Sequence, residues 1–463
     1  GPFVKLIATG ISGFDELFYG GILPGSTVLV EGIPGAGKTT LGLEFLYRGA
    51  HDLGEPGVLL TFEQFPASIY RDAMNFGWDL RSLERENRLR VICTSPEAVL
   101  TPETGFLEEA VREIGAKRLL VDSISHFRQV IEDPLQLRRE FYSFCNGLRR
   151  LGLTSFLVQE QEHESEGIHG FEEFVVDAVV RLGYDANGGL QRRRSIEVLK
   201  SRGQPHISGK HSFSITPEGV RVYSLRPHLP EPAPVFGGLL RTGIKGLDEL
   251  LGGGIPRGSS VVVIGEAGTG KTVLGLEYLV KGALLFRERG LYVSLEEAPE
   301  RIVSQAAAFG WDLAELERQG LIQVYYRPLV DLEIDEFIFS LGALVRENRF
   351  QRAVIDSLPD LIGRISDAVL LREKAFYMIG FLNNAGCTTL LLYPSGKEFG
   401  GEHLEVVQAL AQGSILLSSA LVHSRRIRRL ELYKMRGVGH LTGSHLMEIT
   451  SSGVQVYPRV GGF

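Results

Sequence analysis

Cysteine, tryptophan and methionine are scarce in this chain of 463 residues, which holds 3, 2 and 4 of them. The cysteines, Cys93, Cys145 and Cys387, are scattered, show no metal-ligand spacing and form no even set. A disulfide-stapled secreted scaffold and a zinc module are thereby excluded, and a reducing cytoplasm is the expected compartment. No apolar run approaches the ~20 residues that a spanning helix needs, and the N-terminus lacks the basic and apolar regions of a secretory signal. No membrane is expected among the partners. The opening Gly1-Pro2 reads as a remnant of protease cleavage. Positive charge is also short, since 49 Lys and Arg against 56 Asp and Glu leave −7. That balance argues against a protein that coats nucleic acid.

What is abundant is glycine, 56 residues, within a composition that is 44% hydrophobic and 23% charged. This fits a soluble α/β protein with many tight turns. The length exceeds what one core sustains, so two or more domains are expected.

The chain is organised around Gly32-Ile33-Pro34-Gly35-Ala36-Gly37-Lys38-Thr39, a complete G-x-x-x-x-G-K-[ST] loop. It follows the apolar run Val28-Leu29-Val30 and precedes the helical pattern from Leu41 to Leu46, as a phosphate loop requires. The glycines let backbone N–H groups converge on a phosphate, the lysine neutralises terminal phosphates, and the threonine hydroxyl is a Mg²⁺ ligand. The arrangement recurs as Gly265-Glu266-Ala267-Gly268-Thr269-Gly270-Lys271-Thr272. Expected nucleotide contacts are Pro34, Gly35, Ala36, Gly37, Lys38, Thr39 and Thr40, and in the second loop Gly268, Thr269, Gly270, Lys271, Thr272 and Val273.

The two loops belong to a tandem repeat. Lys271 lies 233 positions after Lys38, as Trp311 does after Trp78; after one inserted residue the offset is 234, as in Asp356 after Asp122 and Arg436 after Arg202. Offsets this regular mean duplicated domains. Each repeat opens with T-G-I-x-G-[FL]-D-E-L, at Thr9 and again at Thr242. Between them lies Arg226-Pro227-His228-Leu229-Pro230-Glu231-Pro232-Ala233-Pro234, whose alternate prolines favour an extended linker. We therefore expect domains at 3–225 and 237–463, joined by a linker at 226–236. Short apolar runs alternating with helical patterns imply a mostly parallel twisted sheet covered by helices on both faces. Ser195–Lys200 and Phe213–Thr216 read as antiparallel edge strands.

Hydrolysis of a triphosphate requires a metal-side acid and a base for water. Asp122 and Asp356, each ending an apolar strand and followed by serine, are the expected metal-side acids; the alternative is a strand-end cap. Glu63 and Glu296 follow the preceding strand and are the expected bases, with Glu297 a supporting carboxylate and Glu296 also in reach of metal. In the first repeat Gln64 stands where Glu297 stands in the second, and an amide cannot accept the water's proton. Lys200-x-Arg202-Gly203 and Lys434-x-Arg436-Gly437 are paired cations, either solvated or reaching a phosphate across a subunit boundary.

These residues resemble the KaiC family of RecA-like ATPases across essentially the whole chain. The resemblance rests on both phosphate loops, the strand-end acids, Phe76-Gly77-Trp78-Asp79-Leu80 with Phe309-Gly310-Trp311-Asp312-Leu313, and the two K-x-R-G segments. It implies two RecA-like domains, a double-ringed homohexamer, and ATP with Mg²⁺ held between neighbouring subunits. It further implies that Lys200, Ser201, Arg202 and His206, with Lys434, Met435, Arg436 and His440, reach the neighbour's nucleotide. Asn75 and Phe76, and Phe309, would sit beside adenine, although the two phenylalanines read equally as core aromatics. The family's clock kinase carries a Ser-Thr phosphoacceptor pair where Gln408-Ala409 stands here, so autophosphorylation at that place is not expected. The long tail that follows the last strand of the clock protein is also missing before Phe463. The expected activity is slow ATP hydrolysis that signals through unidentified regulatory proteins.

A DNA-dependent RecA- or RadA-type recombinase or a helicase shares the core. It would need basic central loops. Glu160–Glu173 instead holds six glutamates and no Lys or Arg. Arg192-Arg193-Arg194 and Arg425-Arg426-Ile427-Arg428-Arg429 are read as hairpin tips or subunit contacts.

Overall fold

The computed structural model describes residues 4–62, 65–100, 105–162, 170–185, 193–225, 236–395, 401–436 and 439–459. It divides into two compact units, one ending at His228 and one beginning at Leu229. All of the expected linker except Phe236 lies outside the described residues. The first unit runs β1 (Thr27–Gly32), α1 (Lys38–Tyr47), β2 (Gly57–Thr61), α2 (Ala67–Met74), α3 (Leu80–Arg85), β3 (Leu89–Cys93), α4 (Pro96–Leu100), α5 (Phe106–Ile114), β4 (Arg118–Asp122), α6 (Phe127–Val130), α7 (Pro134–Arg150), β5 (Thr154–Glu160), α8 (Phe171–Val175), β6 (Ala178–Asp185), β7 (Arg193–Ser201), β8 (Lys210–Thr216) and β9 (Gly219–Tyr223). The second runs β10 (Leu239–Leu240), α9 (Leu247–Leu250), β11 (Ile255–Pro256), β12 (Ser260–Gly265), α10 (Lys271–Phe286), β13 (Gly290–Ser294), α11 (Pro299–Ala307), α12 (Leu313–Arg318), β14 (Ile322–Tyr326), α13 (Ile334–Glu347), β15 (Arg352–Asp356), α14 (Leu358–Ile362), α15 (Ala368–Asn384), β16 (Thr388–Pro394), α16 (Gly401–Leu410), β17 (Gly413–Val422), β18 (Arg425–Tyr433), β19 (Ser444–Thr450) and β20 (Gly453–Tyr457).

Among the described residues each unit holds a nine-stranded sheet, ordered β3-β2-β4-β5-β1-β6-β7-β8-β9 and β14-β13-β15-β16-β12-β17-β18-β19-β20. The first six strands of each order pair parallel and the last three antiparallel. Every residue of β1, β2, β12 and β13 is buried, as strands covered by helices on both faces demand. Helix α7 buries Leu137, Phe141, Cys145 and Leu148, one face at helical spacing, and starts on the side-chain cap of Asp133 followed by Pro134. β7 and β8, both expected as edge strands, are interior, β7 between β6 and β8 and β8 between β7 and β9; the described edges are β3 and β9. No helix among the described residues is long and apolar enough to cross a membrane.

The opening T-G-I-x-G-x-D-E-L segment is a structural clasp in both units. Thr9 Oγ1 donates to Asp15 at 2.6 Å, and Thr242 Oγ1 to Asp248 at 2.8 Å. Gly13 has φ +78°, and a Cβ there would stand 2.0 Å from the Val222 carbonyl oxygen; Gly246 meets Val456 in the same way at 1.9 Å. The last strand therefore packs on a position that tolerates no side chain.

Beneath the clasp lies a fully buried arginine. Arg118 Nη1 donates to the Thr9 and Phe45 carbonyls, each at 2.8 Å, and Nη2 to Glu55 at 2.9 Å. Arg352 repeats this on Thr242, Tyr278 and Glu288 at 3.0, 2.8 and 2.9 Å. On the opposite flank of α1 and α10, Glu44 accepts from Val220 N at 2.7 Å and Glu277 from Val454 N at 2.9 Å.

Removing a buried cation strands its carboxylate and carbonyl partners. We expect Arg118→Ala to destabilise the first unit by about 3–5 kcal/mol in denaturant unfolding, whereas Arg112→Ala, on an exposed helix face, stays within about 0.5 kcal/mol. Burial lifts the Glu277 carboxyl from its ordinary 4.5 to about 7. The folded state thus holds that proton more tightly than the unfolded state. The resulting stability is fully present below pH 4.5 and is lost as pH rises through about 7. Glu277→Gln should flatten that slope, read as the melting temperature of wild type relative to variant across the same window.

Candidate functional site

In both units the phosphate loop leaves the central strand at its carboxyl end, flanked by β5 and β6 or by β16 and β17. This is where strand order reverses, the place at which open α/β sheets leave a crevice. Gly35 and Gly37 take φ of +83° and +108°, Gly268 and Gly270 +80° and +103°, so the backbone turns as L-residues rarely can. The first turns of α1 and α10 have no side-chain cap, leaving their N–H groups aimed at the loop.

Lys38 is buried, and its Nζ donates to the Ile33 carbonyl at 2.9 Å. Burial pushes its ammonium below the ordinary value, and Glu160 and Asp122 partly offset this. Lys271 does the same on Glu266 at 2.8 Å, lowered by burial and partly restored by Asp356 and Glu266. Thr39 Oγ1 donates to Asp122 Oδ2 at 2.9 Å, which joins the two expected metal-side residues. A cavity of about 590 Å³ opens over this pair. It gathers Pro34, Gly35, Gly37, Lys38, Thr39, Thr40 and Asp122 of the expected set, while Ala36 is buried under the loop. Among the described residues no group of three or more His, Cys, Asp or Glu is arranged to hold a metal. The Thr39 hydroxyl and the Asp122 carboxylate instead suit a cation that takes its remaining ligands from water and phosphate.

The second site differs in its acids. Asp356 Oδ2 accepts from Tyr292 OH at 2.5 Å, and the corresponding first-unit residue is Leu59. Asp356 is raised above the usual carboxylate range, first by burial, while the Tyr292 hydrogen bond pulls it back. Glu296 is exposed and is raised first by the charge of Asp360, then by burial and by Asp356. Asp360 takes the place of His126, which lines the first cavity. Sequence reasoning missed this pair, although the 234-residue offset brings them into register. Glu297 is half-buried and lies 3.5 Å from Arg301. Glu63 and Gln64 lie outside the described residues.

The paired cations stand elsewhere. Arg194, near the start of β7, donates to the Gly35 carbonyl at 2.8 Å, whereas Lys200 is six residues further along the same strand, roughly 20 Å away. There Lys200 Nζ donates to the Glu173 and Phe174 carbonyls at 2.9 and 3.1 Å, and Arg202 to Phe174 at 2.5 Å. Ser201 Oγ lies 2.8 Å from His206 Nδ1, and burial lowers that imidazole. In the second unit Arg428 reaches the Gly268 carbonyl at 3.3 Å, while Lys434 and Arg436 lie beyond the far end of β18. The arginine runs read as hairpin tips thus each send one guanidinium to their own phosphate loop; Arg192 lies outside the described residues.

Several expected contacts fall away from the first cavity or into the core. Phe76 stacks on Trp78 at 4.6 Å and Phe309 on Trp311 at 4.9 Å, both packed against the core. Asn75 is exposed outside the cavity, which α2 lines through Ser68, Ile69 and Asp72. Met435 is buried in the second core, and Val273 packs against it. Glu172 and Glu173, counted with the acidic loop, are buried and face Arg128 and Arg181; residues 163–169 of that loop lie outside the described residues.

With Tyr292 holding the Asp356 carboxylate in place, Tyr292→Phe should lower magnesium affinity at the second site about tenfold or more, a hydrogen bond to a charged group being worth about 1.5–3 kcal/mol. Titration of nucleotide binding against magnesium checks this, with Leu59→Ala as a variant that leaves the second-site affinity unchanged.

The family model described as "ATPase: KaiC" matches residues 7–226 and again 240–461. The chain is 30% identical over 469 residues to the circadian clock oscillator protein KaiC of Parathermosynechococcus lividus, covering 98% of this chain and 86% of the relative. It is likewise 30% identical to KaiC 1 of Synechocystis sp., covering 98% and 89%, and to KaiC of Synechococcus elongatus, covering 94% and 86%. With two RecA-like units, each built round its own phosphate loop and each matched over its length, the chain belongs to the KaiC family of ATPases.

Proposed function

We propose that this protein binds and slowly hydrolyses ATP as a double-ringed homohexamer, with nucleotide between neighbouring subunits. The observation that carries the reading is the separation along β7. One strand presents Arg194 to its own phosphate loop and Lys200 roughly 20 Å away, with Arg202 just past its end, too far to serve the same triphosphate. Cations at the far end are available to an adjacent copy, and β18 repeats the arrangement with Arg428 against Lys434 and Arg436.

In this reading Thr39 with Asp122, and Thr272 with Asp356, hold Mg²⁺, which would supply charge neutralisation at the phosphates. Glu63 and Glu296 orient and deprotonate the attacking water, with Glu297 in support. The lysines of the two loops bind the terminal phosphates, and the neighbour's Arg202 and Arg436 meet the charge that develops there. Gln64 and His126 stand where the second unit has Glu297 and Asp360, which favours slower turnover in the first unit. A slow first ring would serve assembly and signalling, its nucleotide state read by regulatory proteins in the cytoplasm. Gln408-Ala409, on α16, supplies no hydroxyl for phosphorylation at that place.

A DNA-dependent reading has one observation in its favour, the exposure of Arg425, Arg426 and Arg429 on β18. Stimulation of phosphate release by single-stranded DNA at physiological salt would establish it; no stimulation is expected.

Native mass should rise from subunit to hexamer on adding Mg-ATP. Arg202→Ala with Arg436→Ala should then cut phosphate release by about 10³-fold or more while both sites still bind nucleotide. A subunit that stays single and hydrolyses at the wild-type rate without those arginines overturns the proposal. Lys38→Ala is expected to impair assembly chiefly, and Lys271→Ala or Glu296→Gln to impair hydrolysis chiefly, read by the same two measurements.

A further inference from the structure

The two phosphate loops are braced from different sides. In the first unit Tyr184 pairs across the strands with Arg194, and the guanidinium lies 4.3 Å over its ring. Arg194 also donates to the Gly35 carbonyl and lines the cavity. The ring stands beside the loop, 3.8 Å from where a Cβ on Gly35 would be. In the second unit the residue paired with Arg428 is Ser419, which has no ring to offer. The Arg428 contact to Gly268 is longer, 3.3 Å, and a Cβ on Gly268 would meet nothing within 4 Å among the described residues. That loop is instead tied from within, since Thr269 Oγ1 donates to the Glu266 carbonyl at 2.7 Å where the first loop has Ala36.

We propose that Tyr184 is a positioning residue that pins Arg194 across the mouth of the first phosphate loop, so that nucleoside triphosphate leaves the first site more slowly than the second. The inference rests on the nucleotide reading above and adds a difference between the sites. An arginine held by one carbonyl still swings about its flexible stem. Stacking its planar face on an aromatic ring removes most of that freedom, and the ring stands beside the loop. Ser419 leaves Arg428 free to swing, and the second mouth opens more readily. The contrast arises within one chain, on two copies of the same scaffold, so the surrounding sheet and helix are matched.

The test is displacement of a fluorescent ATP analogue by excess ATP from the full-length protein. Wild type should release it in two phases, slow and fast. Tyr184→Ser should speed the slow phase about fivefold, the factor expected for a partly exposed cation–π contact. Tyr184→Phe keeps the ring and should stay within about twofold of wild type. Ser419→Tyr should slow the fast phase, and it decides the question alone if Tyr184→Ser does not fold. A single phase in wild type, an unchanged slow phase in Tyr184→Ser, or a Tyr184→Phe as fast as Tyr184→Ser overturns the proposal. Failure of the analogue to bind wild type at all overturns the nucleotide reading, a result distinct from unchanged release.

Discussion

The buried guanidinium at the start of β4, repeated at the start of β15, is the constraint on which the rest depends. Buried away from solvent, its two terminal nitrogens are met by protein oxygens, and those oxygens belong to segments far apart in sequence: the opening clasp at Thr9, helix α1 at Phe45 and the loop at Glu55. Helix α1 carries the phosphate loop at its N-terminus, and β4 carries Asp122 at its opposite end. One set of hydrogen bonds therefore fixes the helix against the strand, and thereby Thr39 against Asp122. Packing agrees, since a Cβ on Gly42 of α1 would stand 2.5 Å from the Leu120 side chain on β4.

Duplication lets the two units be compared on equal backbones. The clasp, the buried arginine and the carboxylate that grips the last strand are shared, so they belong to folding rather than to any one chemistry. What differs is Leu59 against Tyr292, which bonds Asp356, His126 of the first cavity against Asp360, Tyr184 against Ser419 across from the loop-bound arginines, and in sequence Gln64 against Glu297. The second site crowds carboxylates, and the charge of Asp360 raises Glu296 toward the range in which a carboxylate is a stronger base. The first site exchanges two of those acids for neutral or basic groups.

Much of this was legible before any coordinates. The phosphate loops declare themselves because the chemistry needs glycines, lysine and threonine at fixed offsets in a short stretch, and the strand-end aspartates because an apolar run stopping at an acid has few other meanings. The repeat offset aligned everything else. Less legible were the side chains whose role depends on which strand lies next to which. Arg194 read as a hairpin tip until the pairing of β6 with β7 set it over Gly35. Glu172 and Glu173 read as repulsive surface because composition does not reveal that Arg128 and Arg181 face them. Met435 entered the nucleotide set through its neighbours in sequence, yet just past the end of β18 its side chain is buried in the core while Lys434 and Arg436 on either side are exposed.

By itself the sequence determined that there are two repeats and that each is an α/β unit built round a phosphate-loop motif. These follow from local spacing and periodicity, which need no knowledge of distant neighbours. Only the tertiary structure decided that β7 and β18 each bring one arginine to their own phosphate loop and leave the K-x-R cations at the far end, that the opening segment is a clasp, and that the two loops are braced from different sides. Those facts arise from strand order and cross-strand register, which bring together residues more than a hundred positions apart, and no local pattern in the chain encodes them.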